Sequence, residues 1–437
     1  GERYRYHPLL QQLLRADLDS RTPGQAGELL VRAAEWSETE GHVEDALTYA
    51  REVDDAGLMS RVLERHALRM HRQGRDEALV PWFAWFEERD LLERYPIVAV
   101  IGAWLHVFHG RAAAVQRWAE AAERGAGALR GDDRVTVDTL LGLLQAASCR
   151  NGPERMERDA REVLERTDGD LRGPALLFVA VAKRMRGDGA DVDTLLVEAV
   201  EEAVDRASYP TAVVALSERA ILAIEQEDWL GAAELAREAA ALVQLAGLED
   251  YVTSGLLYAV AARIAVHVGD LPRGRLEIAR AHRLRSAASH AMPFLAAQVR
   301  LELANAYLAI TDSAGARTML RELELLFTLR RDLGVFRRQA DEVHARASSM
   351  RTAFVGGSSL TTAELRLLPL LATHHSFREI ADRLFVSRHT VKTQAISIYR
   401  KLRVTSRSEA VDTARDNGLL AATAPPAEPG GRFTPMG

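Results

Sequence analysis

The residues best suited to recognition chemistry lie close together near the C-terminus. Within residues 388–402, His389, Lys392, Thr393, Ile396, Ser397 and Arg400 fall on one stripe of a helix turning 100° per residue. Val391, Ala395, Ile398 and Leu402 fall on the opposite stripe. Such a helix buries one side and offers basic and hydrogen-bonding groups on the other. Groups of that kind read base edges when a helix lies in the major groove of DNA. Arg388, Lys401, Arg403 and Arg407 stand towards the sides and ends of the face, where phosphates would pass. A solvated surface helix carries similar residues, so the elements around this one matter.

Capping chemistry marks those elements. Thr361 with Glu364, Ser376 with Glu379, and Ser406 with Glu409 each have the spacing of a capping box. In such a box the hydroxyl accepts from the glutamate amide, and the carboxylate accepts from the first residue's amide. Leu360 and Leu365 flank the first box as a hydrophobic staple. The second box starts a helix over 377–384 with Ile380, Ala381 and Leu384 inward, and Ala381 is small enough to admit a close crossing. Phe385, Val386 and Ser387 form a turn, with Ser387 as N-cap of the helix 388–402. The third box starts a helix over 408–417, which Gly418 would stop. A short helix, a tight turn and a second helix make a helix-turn-helix. Pro369 sits inside the first helix of the group and implies a kink.

Residues 360–420 hold ten basic and six acidic side chains, a net +4. The whole chain of 437 residues carries −6, which leaves −10 to the remainder. A basic module on an acidic body suits a polyanionic partner bound at one end. The single cysteine, Cys149, excludes an internal disulfide and reads as a buried small side chain in a reducing, cytoplasmic setting. No stretch reaches the roughly 20 apolar residues of a membrane span, and the first residues do not resemble a signal peptide. Catalysis has no support: HExxH, GxSxG and Cys/His metal spacings are missing. His374 and His375 read as a surface pair in a loop. None of Lys183, Lys392 and Lys401 follows a glycine, so no phosphate loop is present and no ATP binding by these residues is expected. The expectation is a protein that is not an enzyme and holds no cofactor or metal.

Ahead of this module the chain reads as helix nearly throughout. Over 229–243, Trp229, Ala232, Ala233, Ala236, Ala240 and Val243 recur at spacings of three and four. Turn signals fall at Gly41, Gly74, Gly110, Gly152, Gly187, Asp228, Gly269 and Asp312, at separations of 33 to 43 residues. That period marks helical hairpins stacked as a solenoid, because one hairpin cannot bury both apolar faces alone. An irregular helical bundle is the plainer alternative. The aromatic cluster Trp82, Phe83, Trp85 and Phe86 reads as repeat core, with a ligand pocket as the other possibility. The expected organisation is all-α, with helical repeats over 26–345, a linker over 346–359, the helix-turn-helix over 360–420 and a disordered tail over 421–437.

The C-terminal residues resemble the LuxR-type helix-turn-helix domain. The shared elements are Leu360, Thr361, Glu364, Leu371, Ala372, Glu379 to Ala381, Arg383, Leu384, Ser387 and Thr390 to Thr393, then Tyr399 to Leu402, Ser406, Arg407 and Glu409 to Val411. The resemblance implies that Lys392, Thr393 and Ile396 face the bases and that the last helix dimerises through Val411 and Ala414. The candidate DNA-contacting set is therefore Ser387, Arg388, His389, Thr390, Lys392, Thr393, Ile396, Ser397, Arg400, Lys401 and Arg407. Departures from the family pattern at His389, Gln394 and Ile396 bear on the target sequence, and the one at His374 bears on the shape of its turn; Ile396 could pack on a thymine methyl. Helical repeats followed by this domain resemble the MalT-like regulators. In that plan, residues 1–25 are the end of a winged-helix-like segment, the ATPase half is missing from this chain, and the repeats serve as a sensor for a ligand or protein. The implied function is a bacterial, cytoplasmic transcription regulator, leaning towards activation and dimeric on double-stranded DNA, with no membrane partner. The alternatives are a protein-binding repeat scaffold with minor DNA contact and a sigma-factor-like subunit. The acidic repeats argue against the latter.

Overall fold

The structure, a computed structural model, describes residues 8–22, 24–73, 75–355, 360, 362–373, 375–384, 387–402, 404–416 and 419–420. Thr361, His374, Phe385, Val386, Arg403, Gly418 and the tail 421–437 lie outside the described residues, and with them the first capping box, the histidine pair and the last helix stop. All regular structure among the described residues is helical. The chain divides into two compact units, 1–310 with 318–341 and 311–317 with 342–437.

The first unit opens with α1 (Pro8–Arg21), α2 (Gln25–Thr39), α3 (Val43–Glu52) and α4 (Ala56–Arg72), then a 3-10 turn at Asp76–Ala78 and α5 (Val80–Glu88). Five hairpins follow: α6 (Pro96–Phe108) with α7 (Ala112–Ala126), α8 (Gly131–Ser148) with α9 (Pro153–Arg166), α10 (Arg172–Arg186) with α11 (Val192–Asp205), α12 (Tyr209–Glu225) with α13 (Trp229–Ala246), and α14 (Ser254–His267) with α15 (Leu271–Leu284); α16 (Pro293–Ala309) and α17 (Ser313–Leu329) come next in the chain. Each described turn signal falls between two consecutive helices. Asp228 and Asp270 act as N-caps, accepting from the amides of Gly231 and Arg273 at 2.9 and 3.1 Å. The hairpin reading of the period therefore holds.

The two helices of a hairpin differ in kind. The outer helices are amphipathic: α13 buries Ala232, Ala236, Ala239 and Val243 and exposes Glu234, Arg237 and Glu238. The inner helices are apolar nearly all round. In α10 every residue from Ala175 to Met185 is buried, and α6 is buried from Pro96 to Leu105. A helix that is apolar on all sides needs neighbours on all sides. They come from the next inner helices: α4 packs on α6, α6 on α8, α8 on α10, and so on through α12 and α14 to α16. The series then closes, because α16 also packs on α8. Closure brings distant residues together. Phe178 meets Phe294 edge to face at 5.8 Å, and Gln298 donates to Glu218 at 2.7 Å. Gly110, at φ +69°, sits so close to Ala287 that a Cβ there would lie 2.8 Å from its carbonyl oxygen.

Charges inside this layer are paired. Arg184, buried, reaches Glu218 and Glu225 at 2.7 Å each. Trp82, Phe83, Trp85 and Phe86 are all buried, in agreement with their reading as core. Cys149 is buried as well, and burial pushes its thiol pKa up to about 12.

After α17 comes α18 (Val335–Val355), which runs through most of the stretch expected to be a linker. Residues 346–355 hold no glycine or proline and include Arg, Ala and Met, so nothing in them breaks a helix. The glycines begin at 356, outside the described residues. The second unit ends with α19 (Thr362–Leu371), α20 (Phe377–Leu384), α21 (Arg388–Leu402) and α22 (Arg407–Asp416).

Candidate nucleic-acid interface

The core of α19–α22 decides which way α21 faces. Leu367, Leu368 and Leu371 of α19, Ile380 and Ala381 of α20, Val391, Ala395 and Ile398 of α21, and Ala410, Val411 and Ala414 of α22 form one buried cluster, with Leu384 and Leu402 packed against it. The expected apolar stripe of α21 is thus inward. The opposite stripe is outward: His389, Lys392, Thr393, Ile396 and Arg400 are exposed, and Ser397 is half-buried. Ile396 is 55% exposed, the one large apolar side chain on an otherwise polar face of this helix.

The entry to α21 is fixed by Ser387. Its Oγ accepts from the Thr390 amide at 3.0 Å and bonds the Thr390 hydroxyl at 2.8 Å. Ser387 and Arg388 are exposed and Thr390 is half-buried. They stand at a helix N-terminus, whose unpaired amides favour anions.

The start of α20 matches its capping box on both sides. The Ser376 amide and hydroxyl donate to Glu379 Oε2 at 2.7 and 2.9 Å, and the Glu379 amide donates to Ser376 Oγ at 3.3 Å. Those bonds hold the Glu379 pKa below its ordinary value, the Ser376 amide contributing most. At α22 the pattern shifts by one residue. Ser406 Oγ accepts from the Glu409 amide at 3.2 Å, but Glu409 Oε2 takes the Thr405 amide at 2.8 Å and the Thr405 hydroxyl at 3.1 Å. The Thr405 amide is the main reason that the Glu409 pKa is lowered.

Two residues expected on phosphates are committed elsewhere. Lys401 Nζ lies 2.6 Å from Glu364 Oε2, a carboxylate buried in the first turn of α19. Arg407 donates Nε to the Leu371 carbonyl at 2.8 Å, Nη1 to His375 at 2.7 Å, and Nη2 to Leu370 and Thr373 at 3.2 and 2.7 Å. It therefore adds donors to carbonyls at and just beyond the end of α19. Its guanidinium also lies 6.0 Å from the Phe377 ring. Reading Arg407 as a phosphate contact missed this role, because its partners lie 32 to 37 residues away and leave no periodic trace. The dimerisation pair needs correction too. Ala414 is fully buried and Val411 nearly so, both within the domain's own core, since the last helix needs an apolar side to pack on α19 and α21. The exposed residues of α22 include Ser408, Asp412 and Arg415. Pro369 lies inside α19, which continues to Leu371.

With this geometry in place, comparison with known proteins is decisive for the domain. Residues 358–414 match the family described as "Bacterial regulatory proteins, luxR family". They form a luxR-family helix-turn-helix DNA-binding domain. A stretch of 62 residues is 42% identical to the virulence-factors transcription regulator BvgA of Bordetella pertussis, covering 14% of this chain and 30% of that protein. A stretch of 79 residues is 34% identical to the uncharacterized response regulatory protein YgeK of Escherichia coli, covering 18% of this chain and 54% of that one. The chain thus spans about a third and about half the length of these relatives. Among the described residues, no helix is long and apolar enough to cross a membrane.

Proposed function

We propose that the chain is a DNA-binding transcription regulator that lays α21 in the major groove. The observation that carries this is the outward stripe of α21 in a luxR-family domain: Lys392, Thr393 and Ile396 exposed together, with Val391, Ala395 and Ile398 locked inward. Lys392 and Thr393 offer hydrogen-bonding groups to base edges, and Ile396 offers an apolar surface to a thymine methyl. Ser387, Arg388, His389, Thr390, Ser397 and Arg400 surround them on the same side or at the helix entry, where the backbone phosphates would run. Lys401 and Arg407 are assigned a supporting role in the domain, on the strength of their bonds to Glu364 and to the carbonyls near the end of α19. A dimer on DNA would use the outer face of α22.

The helical hairpins of the first unit are proposed as the sensor half of a MalT-like regulator acting in the cytoplasm. The stacked hairpin plan and its position ahead of the luxR-family domain support this reading. Activation is the direction that the resemblance favours.

The test is binding of the full chain to a library of genomic fragments over a series of salt concentrations. A regulator selects particular fragments, and its affinity falls linearly in log–log form as salt rises. Equal binding to all fragments at every salt concentration would instead favour a protein-binding scaffold with incidental DNA contact.

A further inference from the structure

The outer helices α13 and α15 belong to consecutive hairpins, lie side by side and point the same way. Their starts meet where the His267 ring, just ahead of α15, stacks on Trp229 at 3.7 Å. Their ends meet where Arg283 reaches Asp250, just beyond α13, at 2.6 Å. The outward faces of the two helices are thus neighbours on one surface of the first unit.

That surface is divided by charge. Residues 225–250 hold seven acidic side chains and one basic, Arg237, whereas residues 270–285 hold five arginines and two acids. Glu234 and Glu238 are exposed on α13, and Arg273, Arg280 and Arg283 are exposed on α15. Glu234, Glu238 and Arg273 have no ion-pair partner among the described residues. Leucines stand among these charges. Leu230 on α13 is 83% exposed and Leu276 on α15 is 52% exposed. Leu245, Val268 and Leu271 are exposed as well. Apolar side chains rimmed by charge are the form of a protein-binding surface.

The opposite signs of the two halves point to the partner. Leucines with glutamates lie on one helix, and leucines with arginines lie on its neighbour. A two-fold axis running between the helices and parallel to them sets α13 of one copy over α15 of the other, twice over. A contact of that kind is isologous, with the same patch used on both sides. Glu234 and Glu238 stand as far from the start of α13 as Leu276 and Arg280 stand from the start of α15. With the starts level, each glutamate meets the basic half of the other copy, and the leucines of both copies are covered together.

We propose that the α13–α15 face binds a second copy of this chain in a two-fold dimer, acidic half on basic half. The contact is separate from a dimer through α22 on DNA and does not rest on DNA binding.

The experiment is sedimentation velocity of the full chain without DNA, across the micromolar range and at low and high salt. A monomer–dimer equilibrium that weakens with salt is expected, with nothing larger, because a two-fold contact closes on itself. Glu234→Arg with Glu238→Arg turns the acidic half basic. Arg273→Glu with Arg280→Glu turns the basic half acidic. Each double variant should weaken its own dimer by about a hundredfold or more, since like charges then oppose. An equimolar mixture of the two should restore a dimer with one copy of each, because opposite charges again meet at both contacts. Leu230→Ser alone should weaken the dimer by about tenfold, the loss of one covered leucine. All five side chains are exposed, and thermal unfolding of each variant separates lost association from lost folding. A chain that stays monomeric throughout would overturn the proposal. So would a dimer that both double variants leave intact, since its contact then lies elsewhere. So would variants that fail to pair when mixed.

Discussion

Arg407 shows how one side chain can be misassigned by composition and corrected by geometry. An arginine near a DNA-facing helix reads as a phosphate contact, yet this one spends all three nitrogens on carbonyls around the end of α19. Arg407→Ala is expected to destabilise the second unit by roughly 3 kcal/mol, because charge-assisted bonds are lost together and carbonyls are left unpaired. Arg407→Lys should recover little of this, since an ammonium cannot span a fork of four acceptors. Thermal unfolding of the three proteins gives the comparison. Lys392 and Ile396 should behave differently, because both face outward. Lys392→Ala should weaken binding to a selected fragment by about tenfold or more with the fold unchanged. Ile396→Ala should change preference at a thymine-bearing position by about 1 kcal/mol. An equal loss on all sequences for Ile396→Ala would remove it from base recognition. The outward stripe was legible because helical periodicity alone assigns its face. The role of Arg407 was not, because no local pattern encodes a partner more than thirty residues away.

At the scale of elements, the caps carry most of what could be read in advance. Helices over 377–384 and 388–402 occur with those bounds because Ser376, Glu379 and Ser387 fix the first turns chemically. Where a cap had a competing donor next door, the reading slipped: Glu409 takes the Thr405 amide, and α22 begins at Arg407. The expected linker slipped for the opposite reason, since serine and arginine without glycine or proline do not stop a helix and α18 runs on to Val355. The caps also set a response to acid. Glu379 and Glu409 both have lowered pKa values in the fold. Their contribution is therefore complete above the ordinary glutamate range and fades as pH falls through the lowered folded values. Helix content of the second unit should hold from neutrality to about pH 5 and decline below the unperturbed value near 4.3. Glu379→Gln with Glu409→Gln should flatten that acid limb in a pH series of thermal melts. Ser376→Ala should cost about 1 kcal/mol at neutral pH, as a lost N-cap does, and less in acid, where the Glu379 carboxylate that its hydroxyl meets is protonated.

Across the whole molecule, the hairpin pitch was legible and the closure was not. A repeat of turn signals announces which helices pair, but nothing periodic announces that α16 returns to α8. Burial sets the protonation of three histidines of the first unit. Burial lowers the pKa of His106 from 6.5 to about 4, against the Trp118 ring 5.1 Å away. Burial lowers His282 and His290 too. An unfolded chain takes up these protons near the ordinary histidine value and the folded one does not. The first unit should accordingly lose stability as pH falls from about 6.5 towards 4. His106→Phe should reduce the slope of that loss in a pH series of unfolding temperatures.

An open stack of repeats can gain or lose a hairpin at either end, because each unit meets only its neighbours. The contact of α16 with α8, together with the tight seat of Gly110 against Ala287, removes that freedom. A ring has a circumference. One hairpin inserted between α8 and α16 would carry α16 past its seat, and one deleted would leave it short. Relatives of this unit should therefore vary in the length of their turns and in their outer helices, while the tally of hairpins between those two seats stays constant.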